Sequence, residues 1–174
     1  CQLETIAAIK ENSLALARRK ERFFSFLSGI DFERVATKAS KHPPGSPEAE
    51  TYLSYLETFK NEAAQGLNLL EPYLGDTNLR ILEIGSGIGL LTRFLKDEGY
   101  AITGVEPSLE NGFGFMNPLS TELGHVLKEK NSPEILGIVA EDLDQKAHGQ
   151  FDLIFSLNVM EHIMDLPKAI PAMS

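Results

Sequence analysis

The amino-acid sequence predicts an α/β domain: a doubly wound parallel sheet behind a helical N-terminal segment. Three observations carry this reading. After residue 79, short and nearly continuous apolar runs alternate with helical stretches, as they do where parallel strands are buried on both faces. A glycine-rich bend, Gly85-Ser86-Gly87-Ile88-Gly89, joins the first run to a helix. Residues 1 to 75 instead carry apolar positions at three- and four-residue spacings, the mark of amphipathic helices. The expected division is a helical cap over 1–75 and a sheet domain over 76–174.

The first helix reads from "LETIAAIKENSLALARRKERFFSFL", with Leu3, Ile6, Leu14, Phe24 and Leu27 as its inner positions. "ARRKER" within it reads as a solvated face. A short helix is expected over Asp31 to Ser40, and "KHPPGSP" breaks it. Ser46, Pro47 and Glu48 then supply an N-cap, a proline at the first helical position and an acid in the first turn. That helix carries Leu53, Leu56, Phe59, Ala63, Leu67 and Leu70 inward and ends near Pro72 to Gly75. Tyr52 and Tyr55 on it read as packing residues. The strands are expected at 79–84, 101–106, 135–140 and 151–157. Leu90, Leu91, Phe94 and Leu95 share a helical face between the first two, and a further helix is expected near Leu119 to Lys130.

The chain has 174 residues, 43% hydrophobic and 24% charged, a soluble globular composition. A net charge of -9 argues against a nucleic-acid binder, which needs a basic footprint. The single cysteine, Cys1, allows no internal disulfide and no cysteine-built zinc site. No apolar run approaches the roughly 18 residues of a membrane span, and the N-terminus is too polar for a signal peptide. A cytoplasmic setting is expected.

Polar residues collect where the strands end: Glu83, Gly85, Ser86, Gly87 and Gly89 at the first, Glu106 at the second, Glu141 and Asp142 after the third, Asn158, Glu161 and His162 after the fourth. Open parallel sheets bind ligands there. Glycine permits positive φ and close approach to the backbone, and the following helix start favours an anion. The spacing is G-x-G-x-G, not the dinucleotide G-x-G-x-x-G, and Glu83 would oppose two phosphates. A ligand with a carboxylate, an ammonium and a cationic centre suits both features. Glu106 can accept hydrogen bonds from both ribose hydroxyls. Glu141 or Asp142 can accept from an adenine amino group, with Leu143 or Ile138 on the ring. Glu161, His162 and Asp165 lack a second histidine nearby, so no metal is expected.

"LEIGSGIGLLTRFLKDEGYAITGVEPS", followed by "AEDL" and "FDLIFSLNVMEHI", resembles the class I S-adenosylmethionine-dependent methyltransferases. The likeness is to the small-molecule branch that includes the ubiquinone and menaquinone biosynthesis methyltransferases, and it covers about 79 to 166. It implies a Rossmann-like sheet in order 3-2-1-4 and S-adenosylmethionine as cofactor, with S-adenosylhomocysteine as product. It implies that the first motif holds the methionine portion, Glu106 the ribose, and Asn158 to His162 the segment under the methionine and the methyl. The third strand departs from the pattern, since Val139 and Ala140 precede Glu141-Asp142 where an Asp is frequent. His162 is the candidate catalytic base, imidazole being the side chain most often used for proton transfer.

The expected function is methyl transfer to a small-molecule acceptor, without nucleic acid or a membrane span. The rivals are a non-catalytic cofactor-binding module and, behind it, an NAD-dependent oxidoreductase. The family sheet has seven strands and this chain stops soon after the fourth. The expectation is therefore a truncated chain with an uncovered strand-four edge. Isolated, it would be weak or inactive, lacking the C-terminal substrate half; a second copy covering that edge is the alternative.

Overall fold

A computed structural model describes residues 17–75, 77–111, 114–128 and 132–173. Four strands, β1 (Arg80–Ile84), β2 (Ala101–Val105), β3 (Glu134–Leu136) and β4 (Leu153–Ser156), form one parallel sheet in the order β3-β2-β1-β4. The register sets Glu83 of β1 between Gly104 of β2 and Phe155 of β4. β3 is half the expected length. Pro133 precedes it, Gly137 follows it, and the ladder ends where Glu106 N–H donates to Leu136 O at 2.9 Å.

α1 covers 17–28, α2 Phe32–Ser40 and α3 Pro47–Leu70. α4 covers Leu90–Asp97, α5 Ser108–Asn111, α6 Met116–Leu127 and α7 Gln145–His148. A last helix, α8 (Leu166–Met173), follows β4. Local chemistry explains the boundaries. Asp31 accepts from Arg34 N–H at the start of α2, and Ser46 accepts from Ala49 N–H at the start of α3, ahead of Pro47. α3 ends in a single tighter turn at Glu71–Tyr73, as Pro72 requires.

Alternation along β1 sends Ile81 and Glu83 to one face and Leu82 and Ile84 to the other. The first face carries the larger core, in which Phe23 and Leu27 of α1, Val35 of α2 and Leu56 of α3 are continuous with Phe94 of α4 and Leu119 of α6. The N-terminal helices thus share one core with the sheet. The opposite face packs Leu82, Ile84 and Val105 against Ala140, Leu143 and Ala169 of α8.

Two expectations for α1 change. On α1 the buried aromatic is Phe23, at 1% exposure, while Phe24 is 59% exposed. Phe23, Leu27 and Ile30 make the four- and three-residue stripe, with Phe23 edge-on to Phe94 at 4.9 Å. The expected inner positions Leu3, Ile6 and Leu14 lie outside the described residues. Arg19 and Arg22 are not a free solvated face. Arg19 donates to Glu71 at 2.8 Å, to Leu74 O at 2.8 Å and to Tyr100 Oη at 3.2 Å, and Arg22 pairs with Glu98. These contacts clamp α1 to the end of α3 and the end of α4.

Candidate functional site

The carboxyl ends of the four strands open into a cavity of about 380 Å³. Its floor is the glycine bend. Gly85, Gly87 and Gly89 all have positive φ, at 74°, 56° and 75°, which a side chain adopts only at a cost. At Gly85 a Cβ would collide with Val159, lying 2.8 Å from its Cγ1 and 2.9 Å from its Cβ. The N–H groups of Gly85 and Ser86 both donate to Val105 O, at 2.7 and 3.0 Å, and Gly89 N–H donates to Ser86 O at 2.8 Å. The bend is therefore tied to the end of β2 by its own backbone. The donors left for a ligand belong to the start of α4, where Gly89 is the N-cap and offers no side-chain cap.

Glu106 stands at the end of β2, 7% exposed. One carboxylate oxygen accepts from Gly87 N–H and the other from Ser108 N–H, each at 3.0 Å. Each oxygen keeps a second lone pair, so the acid holds the bend and still has capacity toward the cavity it lines.

Glu83 is 6% exposed and lines the cavity beneath α4. The Thr92 hydroxyl donates to it, which ties the first turn of α4 to β1. Burial pushes its carboxyl up to about 8, with Thr92 pulling it down and the Glu106 charge adding to the rise. Ser86 Oγ is buried without a hydrogen-bond partner among the described residues, and Ser86 lines the cavity.

Asn158, in the left-handed region at φ 52°, follows β4 and donates from Nδ2 to Glu62 Oε1 of α3 at 3.3 Å. His162 lies in a short turn after it, exposed and on the cavity wall. Glu141 is half-buried, lines the cavity and accepts from Asp165 N–H at 3.0 Å.

Two predicted site residues lie off the cavity. Asp142 is exposed and pairs with Lys168 at 3.1 Å, because the turn Ala140–Asp142 directs successive side chains apart. Gly89 serves packing: a Cβ there would stand 2.7 Å from Arg93 Nη1 and against Ile135. Leu143 and Ile138, expected on an adenine ring, belong to the core under α8. The apolar lining on that side is Val139, Ile163 and Met164. Tyr55 stacks on Phe115 at 4.1 Å. Among the described residues no group of three His, Cys, Asp or Glu could hold a metal ion.

Sequence reasoning missed Glu62, Phe115 and Met116, all on the cavity wall. Phe59 was placed only on an inner stripe, yet its ring edge would lie 3.2 Å from a Cβ at Gly87. No local pattern marks these positions, since they reach the cavity only because α3 and α6 cross above the bend.

A methyltransferase domain family matches residues 52–174. An uncharacterized protein of Mycobacterium tuberculosis is 44% identical over 89 residues, half of this chain and 28% of that protein. The ubiquinone biosynthesis O-methyltransferase of Pseudomonas aeruginosa is 26% identical over 106 residues, 61% of this chain and 43% of that protein. The chain therefore spans less than half the length of these curated relatives. Magnesium protoporphyrin IX methyltransferase from Synechocystis PCC 6803, solved with bound SAM, aligns at a TM-score of 0.47 and 17% identity, over 72% of this chain and 56% of that one. With the family match running through the glycine bend and every strand of a parallel 3-2-1-4 sheet, the chain belongs to the methyltransferase domain family.

Proposed function

We propose that this cavity binds S-adenosylmethionine and that the natural protein transfers its methyl group to a small-molecule acceptor. The observation that carries the reading is the juxtaposition of Glu106 with the positive-φ bend at Gly85 to Gly87. The residues present fit the cofactor. Gly85 and Gly87 of the bend line the cavity, with Val159 and Phe59 packed close against them. The buried, unpartnered Ser86 hydroxyl lies beside it. The cavity volume falls in the range of roughly 300–1,000 Å³ usual for small-molecule sites.

Glu106 would accept from the ribose hydroxyls through its remaining lone pairs. The start of α4 would take the cofactor's carboxylate, and Glu83 would balance its cationic groups. Glu141 would accept from the adenine amino group, with Val139 and Ile163 against the ring. When bound, the cofactor supplies a methyl group made electrophilic by its sulfonium. The protein's part is to align the acceptor, exclude water and remove a proton where the acceptor carries one. His162, on the cavity wall, is the base proposed for that proton.

Calorimetry on the natural full-length protein tests this. S-adenosylhomocysteine should bind saturably at one site per chain and NADH should not. Binding of NADH, or none of S-adenosylhomocysteine, would reject the reading.

A further inference from the structure

The cavity has one sign of charge. Four of its lining residues are glutamates, Glu62, Glu83, Glu106 and Glu141, and among the described lining residues none is lysine or arginine. The basic residues on the elements that build it turn elsewhere. Lys60 of α3 pairs with Glu57 at 2.8 Å and lies over the Phe32 ring. Arg93 of α4 donates to Ile88 O and to Ser120 O. Lys96 donates to Ser132 O at 2.8 Å, and Lys168 of α8 pairs with Asp142.

Three of the four glutamates have work in the protein itself. Glu83 ties α4 to β1 through Thr92, Glu106 holds Gly87 and Ser108, and Glu141 accepts from Asp165 N–H. Glu62 differs. It comes from α3, the wall that crosses over the bend, and its hydrogen-bond partner is the side chain of Asn158. Among the described residues no backbone N–H donates to it, so its carboxylate is the acid that an entering molecule can engage. The helical lining that accompanies it is apolar, with Phe59, Ala63 and Phe115.

We propose that Glu62, held by Asn158, forms the acceptor wall and selects an apolar, ring-bearing molecule with a protonated amine over one with a carboxylate or phosphate. This rests on the cofactor reading above and adds the substrate class to it. A cleft lined by one sign of charge concentrates ligands of the opposite sign. A carboxylate-bearing acceptor would meet Glu62, Glu106 and Glu141, with no lysine or arginine among the described lining residues to receive it. The apolar wall suits a ring, and cation and ring together match the lining.

The test is calorimetry on the natural full-length protein saturated with S-adenosylhomocysteine, using two probes with the same catechol ring. Dopamine carries an ammonium, and 3,4-dihydroxyphenylacetate carries a carboxylate. Dopamine should bind about tenfold more tightly or better. In Glu62→Gln the ratio should fall to about threefold or less, with far-UV circular dichroism unchanged. Glu62→Asp should keep most of the preference. Equal affinities, tighter binding of the acid, or no binding of either probe would overturn the proposal while leaving the cofactor reading intact. An unchanged ratio in Glu62→Gln would overturn it too. So would a Glu62→Gln variant that loses S-adenosylhomocysteine affinity in proportion, since the carboxylate would then serve the cofactor's ammonium. Failure of S-adenosylhomocysteine to bind wild type would sink both.

Discussion

Glu83 lies between Gly104 and Phe155 in the sheet, with α4 pressed onto it. A strand interior is a costly place for a carboxylate unless hydrogen bonds or a ligand compensate. The Thr92 hydroxyl supplies a donor, and burial still raises the carboxyl from its ordinary 4.5 to about 8. The consequence for stability has a definite sign. Between those two values the folded chain holds a proton that the unfolded chain releases, so stability is full below about 4.5 and is lost as pH rises toward about 8. The loss is at most about 1.4 kcal/mol per pH unit in that window. Thermal melts without ligand from pH 5 to 8 should show the midpoint falling, and Glu83→Gln should flatten the fall. Parallel curves for the two proteins would mean that Glu83 is already ionised. Gly85 offers a second residue-scale prediction. Gly85→Ala places a methyl on Val159 and demands a positive φ. It should cost about 2–4 kcal/mol in chemical denaturation, and a cost under about 0.5 kcal/mol would contradict the close approach.

Helix packing sets the shape of the site. α3 reaches the cavity because Gly66 lets it settle on Leu91 and Leu157; a Cβ at Gly66 would stand 2.8 Å from Leu91 Cδ2. α1 is bound to the same body by Phe23 against Phe94 and by Arg19 on Glu71, Leu74 and Tyr100. A chain whose N-terminal helices were a separate cap would lose little of its main transition when α1 is undocked. The shared core predicts otherwise. Phe23→Ala should lower the stability of the single unfolding transition by about 3–5 kcal/mol, read by urea denaturation followed with circular dichroism. A second, uncoupled transition would contradict it. The helices were largely legible in the sequence because caps and breakers are local: Asp31, Ser46, Pro47 and Pro72 mark boundaries that the structure keeps. The choice of Phe23 over Phe24 was not legible. Both are apolar neighbours, and only the position of α4 decides which faces inward.

At the scale of the molecule, the sheet order β3-β2-β1-β4 leaves β4 at an edge, with all four of its residues half-buried. Such an edge invites pairing. By itself the 174-residue chain should give a light-scattering mass above that of one copy. A monodisperse single copy would contradict this. The polar lining of the cavity was legible because Glu83, Gly85, Gly87, Glu106 and Asn158 sit at or just after strand ends, where spacing along the chain becomes position around one cavity. The lining from the helices was not. Glu62, Phe115 and Met116 enter from helices whose placement depends on the tertiary core, so nothing within a few residues of them marks their place on the cavity. Asp142 failed for a related reason: one residue along a tight turn changes a side chain's direction, and Glu141 faces the cavity while Asp142 faces Lys168.

The most direct test is a crystal structure of the natural full-length protein with S-adenosylhomocysteine. The ribose hydroxyls should lie within hydrogen-bond distance of Glu106, about 2.5–3.0 Å, with the amino-acid tail over residues 85–89 and beneath α3. Ligand density elsewhere, or a ribose turned away from Glu106, would contradict the account.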